Sequence, residues 1–285
     1  MKFGDFEIRA FVAEKFRLDG GTMFGVIPKT IWQKMAPADE NNLIAMVNNL
    51  FVLTAHGKRY LFDAGLGDTL SDREKKIYGT DGASHIESGL SNLGLTPNDI
   101  DYVLLTHLHT DHSGGAVRLE DGHYVPRFPN AQVIVSEREW RAAMNPDERT
   151  SAVYIPDRFR ALESAGVVEF LEADRVQICP GVTAVHTGGH SEGHYGLELE
   201  SGDKQVWYYA DIFPSTGHFR VPFVPATDVY PLDSMAVKRK LTPRLESGEI
   251  TLAFDHDIHF TLANVLSREG KLVCEPADST MAAAQ

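Results

Sequence analysis

Short apolar runs alternate along this chain with stretches in which apolar residues return at helical spacing. Residues 102–105, 132–135, 182–186, 206–209 and 251–254 read as strands. The first, Tyr102-Val103-Leu104-Leu105, is apolar throughout, as expected of a strand buried on both faces. Residues 49–54 and 59–63 flank Ala55-His56-Gly57-Lys58 as the arms of a hairpin. Residues 197–200 and 206–209 bracket a Ser201-Gly202-Asp203-Lys204 turn. Ile86, Leu90 and Leu93 line one helical face that Gly94 is placed to end, and Thr96-Pro97 supplies an N-cap and a first-turn proline. Ser136 and Glu139 have the spacing of a capping box opening a further helix.

The residues at the strand ends narrow the picture. His107, His190, Asp211 and His256 each lie at or just beyond the end of a predicted strand. Active sites of α/β proteins gather at strand ends, where loops converge over a rigid scaffold. The pattern predicts an α/β fold with one domain over residues 1–273, since no repeat, linker or low-complexity segment interrupts it. Residues 274–285, ending Met281-Ala282-Ala283-Ala284-Gln285, read as a frayed tail.

Composition removes some functions. The 285 residues hold 27 Lys and Arg against 40 Asp and Glu, a formal net charge of -13, which repels a phosphate backbone and argues against a nucleic-acid substrate. The first residues carry no apolar leader and no run is long enough to span a membrane, so the reading is a cytoplasmic protein with no membrane partner. The two cysteines, Cys179 and Cys274, stand in no ligand spacing and are expected as free, buried thiols.

The chemistry concentrates in Thr106-His107-Leu108-His109-Thr110-Asp111-His112, followed by Ser113-Gly114-Gly115. A lone His-X-His is more often a solvated loop than a metal site. The full string, placed after a strand and before two glycines, points to a divalent ion, for which neutral imidazole and carboxylate are suitable ligands. The glycines also fit a helix beginning close to the metal.

That string, the later Gly189-His190, Asp211 and His256 stand in the order found in metallo-β-lactamase-fold hydrolases, which the chain resembles over nearly its whole length. Leu18-Asp19-Gly20-Gly21-Thr22-Met23-Phe24-Gly25-Val26-Ile27-Pro28-Lys29, Tyr230-Pro231-Leu232-Asp233-Ser234 and Phe254-Asp255-His256-Asp257 are similar to the quorum-quenching N-acyl-homoserine lactonase branch. The resemblance implies an αββα sandwich with a two-metal site at one edge. His107, His109 and His190 would hold one ion, Asp111, His112 and His256 the other, and Asp211 would bridge them. It also implies that Asp111 carries a proton to the leaving group and that Asp63, in Phe62-Asp63-Ala64-Gly65, orients a metal histidine. His186 and His194 take supporting roles, and His256 rather than His259 is the ligand.

Two cations about 3.5–4 Å apart can share a hydroxide available at neutral pH. Zn²⁺ is the expected ion, and Mn²⁺, Fe²⁺ or Co²⁺ suit the same donors; a mononuclear site is the competing reading. The implied activity is hydrolysis of lactones or esters, N-acyl-homoserine lactones first. A phosphotriesterase or aryl esterase is the alternative. A glutathione thioesterase, lacking a basic cluster for its substrate, and a non-catalytic metal-binding protein rank lower. The chain departs from the branch at Gly188, where a proline is usual, and at Pro214, where some lactonases carry a tyrosine that assists the substrate carbonyl. His218 is a candidate replacement donor. Met23 and Phe24, with Trp32, Phe219 and Phe223, are candidates to wall an apolar acyl pocket, or else form core or dimer contacts. A homodimer is implied by the resemblance alone.

Overall fold

The computed structural model of the chain describes residues 1–277. Its strands are β1 (Lys2–Phe3), β2 (Phe6–Asp19), β3 (Leu43–Ala55), β4 (Lys58–Phe62), β5 (Tyr102–Leu104), β6 (Val117–Glu120), β7 (His123–Pro126), β8 (Gln132–Ser136), β9 (Val168–Leu171), β10 (Arg175–Cys179), β11 (Val182–His186), β12 (Tyr195–Ser201), β13 (Lys204–Tyr208), β14 (Ile250–Ala253), β15 (Leu262–Arg268) and β16 (Lys271–Pro276). One sheet has the order β1-β2-β3-β4-β5-β8-β9, a second runs β10 to β16 in sequence, and β6 pairs with β7 alone.

The apolar runs are buried on both faces because successive side chains point to opposite sides of a strand. In β3, Leu50 and Val52 face outward under helices while Phe51 and Leu53 face the other sheet. β8 divides the same way, with Val133 and Val135 outward and Ile134 inward. The inner layer joins Phe51, Tyr60 and Phe62 to Ala184, Leu197, Val206 and Tyr208 of the second sheet. Helices Ile86–Asn92, Glu137–Met144 and Pro156–Ser164 cover the first sheet through Ile86, Leu90, Trp140 and Phe159. Helix Pro231–Glu246 covers the second through Leu241 and Leu245, packed with Trp207 and Leu252. Helix, sheet, sheet and helix form four layers, the αββα order.

The predicted hairpin turns at His56-Gly57, both with positive φ (51° and 74°), and the predicted helix from Ile86 ends before Gly94 (φ 72°). Three local expectations are corrected. Ser136 accepts from the Glu139 amide at 3.3 Å, but the Glu139 side chain does not return to the cap; it is drawn into the core by other donors. Cys179 and Cys274 are free but only half-buried, since both lie on outer strands of the second sheet. Cys274, Glu275 and Pro276 pair with Val265, Asn264 and Ala263, so backbone hydrogen bonding carries the ordered chain past the predicted start of the tail. The rest of that tail, from residue 278, lies outside the described residues.

Parallel pairing positions the site. β4 runs parallel to β5, and β13 parallel to β14, so these strands deliver their following residues to the same edge of the sandwich. β11 is two antiparallel steps from β13 and points the same way.

Candidate metal centre

Five strand ends converge there. β5 leads into His107, β11 into the Gly188-Gly189-His190 turn, β13 into Ala210-Asp211, β14 into Asp255-His256, and β4 into Asp63. Gly188 and Gly189 have φ of 57° and 78°, and a side chain on Gly189 would meet the Ser234 backbone amide at 2.6 Å. At position 188 the left-handed φ of 57° is one that proline, fixed at about −65°, cannot take, so this turn differs from the one a proline would form. Gly114 and Gly115 open the short 3-10 helix Gly114–Ala116, which directly continues the helical turn Thr110–Ser113. A Cβ on Gly115 would stand 2.0 Å from the Ala64 carbonyl oxygen, so this glycine lets the histidine string lie against the Asp63 loop.

Two groups of donors face one another. His107, His109, His190 and Asp211 form the first, and His112, Asp211, Asp255 and His256 the second; within each group the ligand atoms lie within 4.8 Å of one another, and all are buried. Asp211 belongs to both. Its Oδ2 is 2.9 Å from His190 Nε2 and 3.9 Å from His107 Nε2, and its Oδ1 is 3.4 Å from His256 Nε2 and 3.6 Å from His112 Nε2.

The hydrogen bonds behind these rings decide what the inner atoms offer. His112 donates Nδ1–H to Asp63 Oδ2 at 2.9 Å, His190 to Asp228 Oδ1 at 2.8 Å, and His256 to the Val47 carbonyl at 3.0 Å. Thr106 donates its hydroxyl to Asp63 and accepts at 3.0 Å from His107 Nδ1. In the neutral rings each Nε2 is thereby left as an inward lone pair. His112 and His256 Nε2 then meet at 3.2 Å, and His190 Nε2 lies 2.9 Å from His109 Nδ1. Among the described residues, His107 Nε2 has no hydrogen-bond partner. Opposed lone pairs at such distances need a cation or a proton between them, so the residues fit a pair of divalent ions.

The electrostatics divide the histidines. Burial lowers His190 and His256, but Asp211 with Asp228 outweighs it for His190, holding it at about 10, and Asp255 with Asp211 for His256, holding it at about 9. Burial and the crowd of other imidazoles hold His107 and His109 well below the ordinary histidine range. Burial lifts Asp255 to about 7 although His256 pulls it down.

Among the remaining predicted residues, Asp111 lies beside the second group, its Oδ2 3.8 Å from His256 Nε2 and its Oδ1 3.5 Å from the Tyr78 hydroxyl. Asp63 accepts from Thr106 N, Thr106 Oγ1, His112 and Tyr208, and it sits in the left-handed region at φ 53°, which aspartate tolerates. His194 packs against His107 with ring centroids 5.1 Å apart, whereas His186 bonds to the Glu192 carbonyl and Arg138.

A pocket opens beside the second group, lined by Met23, Phe24, Met35, Ile44, Met46, residues 215–218 and residues 256–259. Phe24 stacks between Trp32 and His218. His218 donates Nε2–H to the Met23 carbonyl at 2.8 Å and its Nδ1 accepts from Ser215 Oγ, so both ring nitrogens are engaged. Phe219 does not line this pocket; it packs with Phe213 and Phe254, and Phe223 meets Phe24 edge-on. Pro214 turns its carbonyl to the His256 amide at 3.1 Å.

Three contributors escaped sequence reasoning. Asp228 holds His190 across 38 positions of sequence, with nothing local to mark it. Glu139 accepts from Leu108 N (3.0 Å), Tyr154 Oη (2.7 Å), Ser191 Oγ (2.6 Å) and Gly193 N (3.1 Å), tying the His107–His109 segment to the His190 turn; its spacing from Ser136 disguised it as a cap. Asp255 carried a usable signal, a carboxylate directly after an apolar strand.

A four-layer sandwich with paired histidine–aspartate groups at one edge defines the class: the chain belongs to the metallo-beta-lactamase superfamily, matched over residues 44–256. Among particular relatives, the N-acyl homoserine lactonase of Bacillus thuringiensis is 28% identical over 172 residues, 59% of this chain and 60% of the lactonase, so the chain spans less than two thirds of the length of that relative. AttM of Rhizobium radiobacter, also an N-acyl homoserine lactonase, is 28% identical over 61% of its length and 58% of this chain. A probable metal-dependent hydrolase from Staphylococcus aureus shares the fold with a TM-score of 0.88 and 32% identity, covering 96% of this chain and 99% of its own. AidC, a dizinc quorum-quenching lactonase, shares it with a TM-score of 0.80 at 18% identity, covering 98% of this chain and 96% of its own.

Proposed function

We propose that this chain is a dinuclear metal-dependent hydrolase that opens lactones, N-acyl-homoserine lactones foremost. The observation that carries the reading is Asp211, whose two oxygens face separate histidine groups at 2.9 and 3.4 Å beside an apolar pocket. The lactonase relatives support the substrate class. When bound, two divalent ions supply a hydroxide nucleophile at neutral pH and polarise the acyl oxygen.

The chain's own groups do the rest. Asp63, Asp228 and the Val47 carbonyl fix three histidine rings, so that little reorganisation is left for the reaction itself. Met23, Phe24, Met46 and Ile44 offer an acyl chain a dry wall next to His256. Asp111, the predicted proton carrier, stands at the border of the metal centre, 3.8 Å from His256 Nε2, and has the Tyr78 hydroxyl on its other oxygen. During ring opening the water oxygen bonds to the acyl carbon, the ring C–O bond breaks, and Asp111 passes the water's proton to the departing alkoxide.

A second reading, phosphotriester or aryl-ester hydrolysis, is favoured by Pro214, which removes a tyrosine hydroxyl, and by His218, whose nitrogens are already engaged. Good leaving groups need less help from such a donor. The test is a rate comparison, on metal-loaded protein, across N-acyl-homoserine lactones of increasing acyl length, an aryl ester and a phosphotriester. Ring opening as the fastest reaction is expected. No lactone turnover at any acyl length would overturn the first reading, and faster phosphotriester turnover would install the second.

A further inference from the structure

The two donor groups differ in kind. The first offers three imidazoles and the shared Asp211. The second offers two imidazoles, the shared Asp211 and Asp255, with Asp111 at its border. Asp255 is the unexpected member. It is 3% exposed, and among the described residues neither carboxylate oxygen has a hydrogen-bond partner. Its Oδ2 lies 3.4 Å from His256 Nε2 and 3.8 Å from His112 Nε2, so the carboxylate is aimed at the inward lone pairs of the second group.

The backbone holds it there. The Asp255 carbonyl accepts from the Asn49 amide at 2.8 Å, and the Asn49 side chain donates to the carbonyls of Phe254 and Asp257 at 2.9 and 3.1 Å. β3 thus clamps the segment that follows β14. A buried carboxylate without a donor is costly and is compensated by a cation. Oxygen-rich donor sets suit harder ions such as Mn²⁺, whereas imidazole-rich sets suit Zn²⁺.

We propose that Asp255 is a ligand of the second position and makes the two positions unlike: an imidazole-rich place for Zn²⁺ and a carboxylate-rich place that accepts Mn²⁺. The inference rests on the two-position reading of the site. It concerns metal choice rather than turnover, so it is tested without an activity assay.

The metal-free protein is equilibrated with Zn²⁺ and roughly a hundredfold excess of Mn²⁺, the excess offsetting the general preference of such ligands for zinc. Bound metals are then counted by mass spectrometry, and Mn²⁺ is followed by electron paramagnetic resonance. The wild-type chain is expected to hold one zinc and one manganese. Asp255→Asn, which keeps the shape and removes the charge, is expected to lower the manganese-to-zinc ratio about tenfold or more, the scale on which such ligand-shell changes act. Two zincs in the wild type under this excess would overturn the proposal whether or not the variant folds. An unchanged ratio in a folded Asp255→Asn protein would overturn it too. A chain that takes up one ion in saturating Zn²⁺ would instead remove the two-position reading itself.

Discussion

The metal centre and the pocket wall share an edge of the sandwich but are built differently. In the centre, most donors are themselves held: His112 by Asp63, His190 by Asp228, His256 by the Val47 carbonyl, and two of the ligand-bearing segments by Glu139. The wall has a buried floor of Met23, Phe24, Ile44 and Met46, but its mouth is open, with Met35 42% and Ile258 38% exposed. An over-determined centre fixes the kind of chemistry, and a loosely determined mouth to the wall leaves the substrate open to change. Variation at the wall should therefore alter preference, while variation at the centre should alter everything.

The strongest way to break this contrast is Asp211→Ala. Because both donor groups use this side chain, the variant should lose one ion per chain by metal analysis and at least roughly 10²–10³-fold in rate on every substrate. Retention of both metal content and rate would show that the centre is not organised around it.

Asp228→Asn tests the supports instead of the ligands. With the charge behind His190 gone, metal affinity measured against a competing chelator should fall about 10–100-fold. An affinity within twofold or so of wild type would mean that the ring is held by packing alone.

A third test lies beneath the centre. Glu14, wholly buried, accepts from Ser84, Asn48, Leu66 and Gly67 and ties β2 to the loop after Asp63. Burial raises its carboxyl to about 7 from 4.5, against the pull of those hydrogen bonds. The folded state thus binds this proton more tightly than the unfolded chain does. The stabilisation is complete below pH 4.5 and is lost as pH rises through about 7. Denaturant titration of the metal-loaded protein should show stability falling by roughly 1 kcal/mol from pH 6 to 8.5 through this group, and Glu14→Gln should flatten that slope. An equal slope in the variant would assign it to other groups.

The smallest effects belong to the wall. Met35→Ala and Ile258→Ala should each raise KM several-fold for long acyl chains and leave short ones unchanged, since burying a methylene against the wall is worth about 0.8 kcal/mol. A uniform loss across chain lengths would make these residues structural and erase the contrast with the centre.

Much of this arrangement is legible in the chain itself. Strand ends at His107, His190, Asp211 and His256 can be read because buried strands are apolar throughout and a polar residue at their end is conspicuous. The hairpin at His56-Gly57 and the helix from Ile86 are legible for similarly local reasons. Glu139 reads as a cap because a capping partner and a buried strut show the same spacing in sequence. Phe219 reads as a wall aromatic like Met23 and Phe24, yet its ring packs with Phe213 and Phe254 and lines a neighbouring groove with Met35 and Thr216.

The sequence by itself marked candidate donors at strand ends, because these depend on local periodicity and on residue chemistry, while the layers and the division of the donors into two sets were implied by the family resemblance. Tertiary structure decided which atoms of those donors meet. The support of His190 by Asp228, the entry of Asp255 into the second group and the engagement of both His218 nitrogens arise between segments distant along the chain. The physical reason is that a ring's free lone pair, or a carboxylate's dry oxygen, depends on what is packed behind it. Only the folded sandwich sets that.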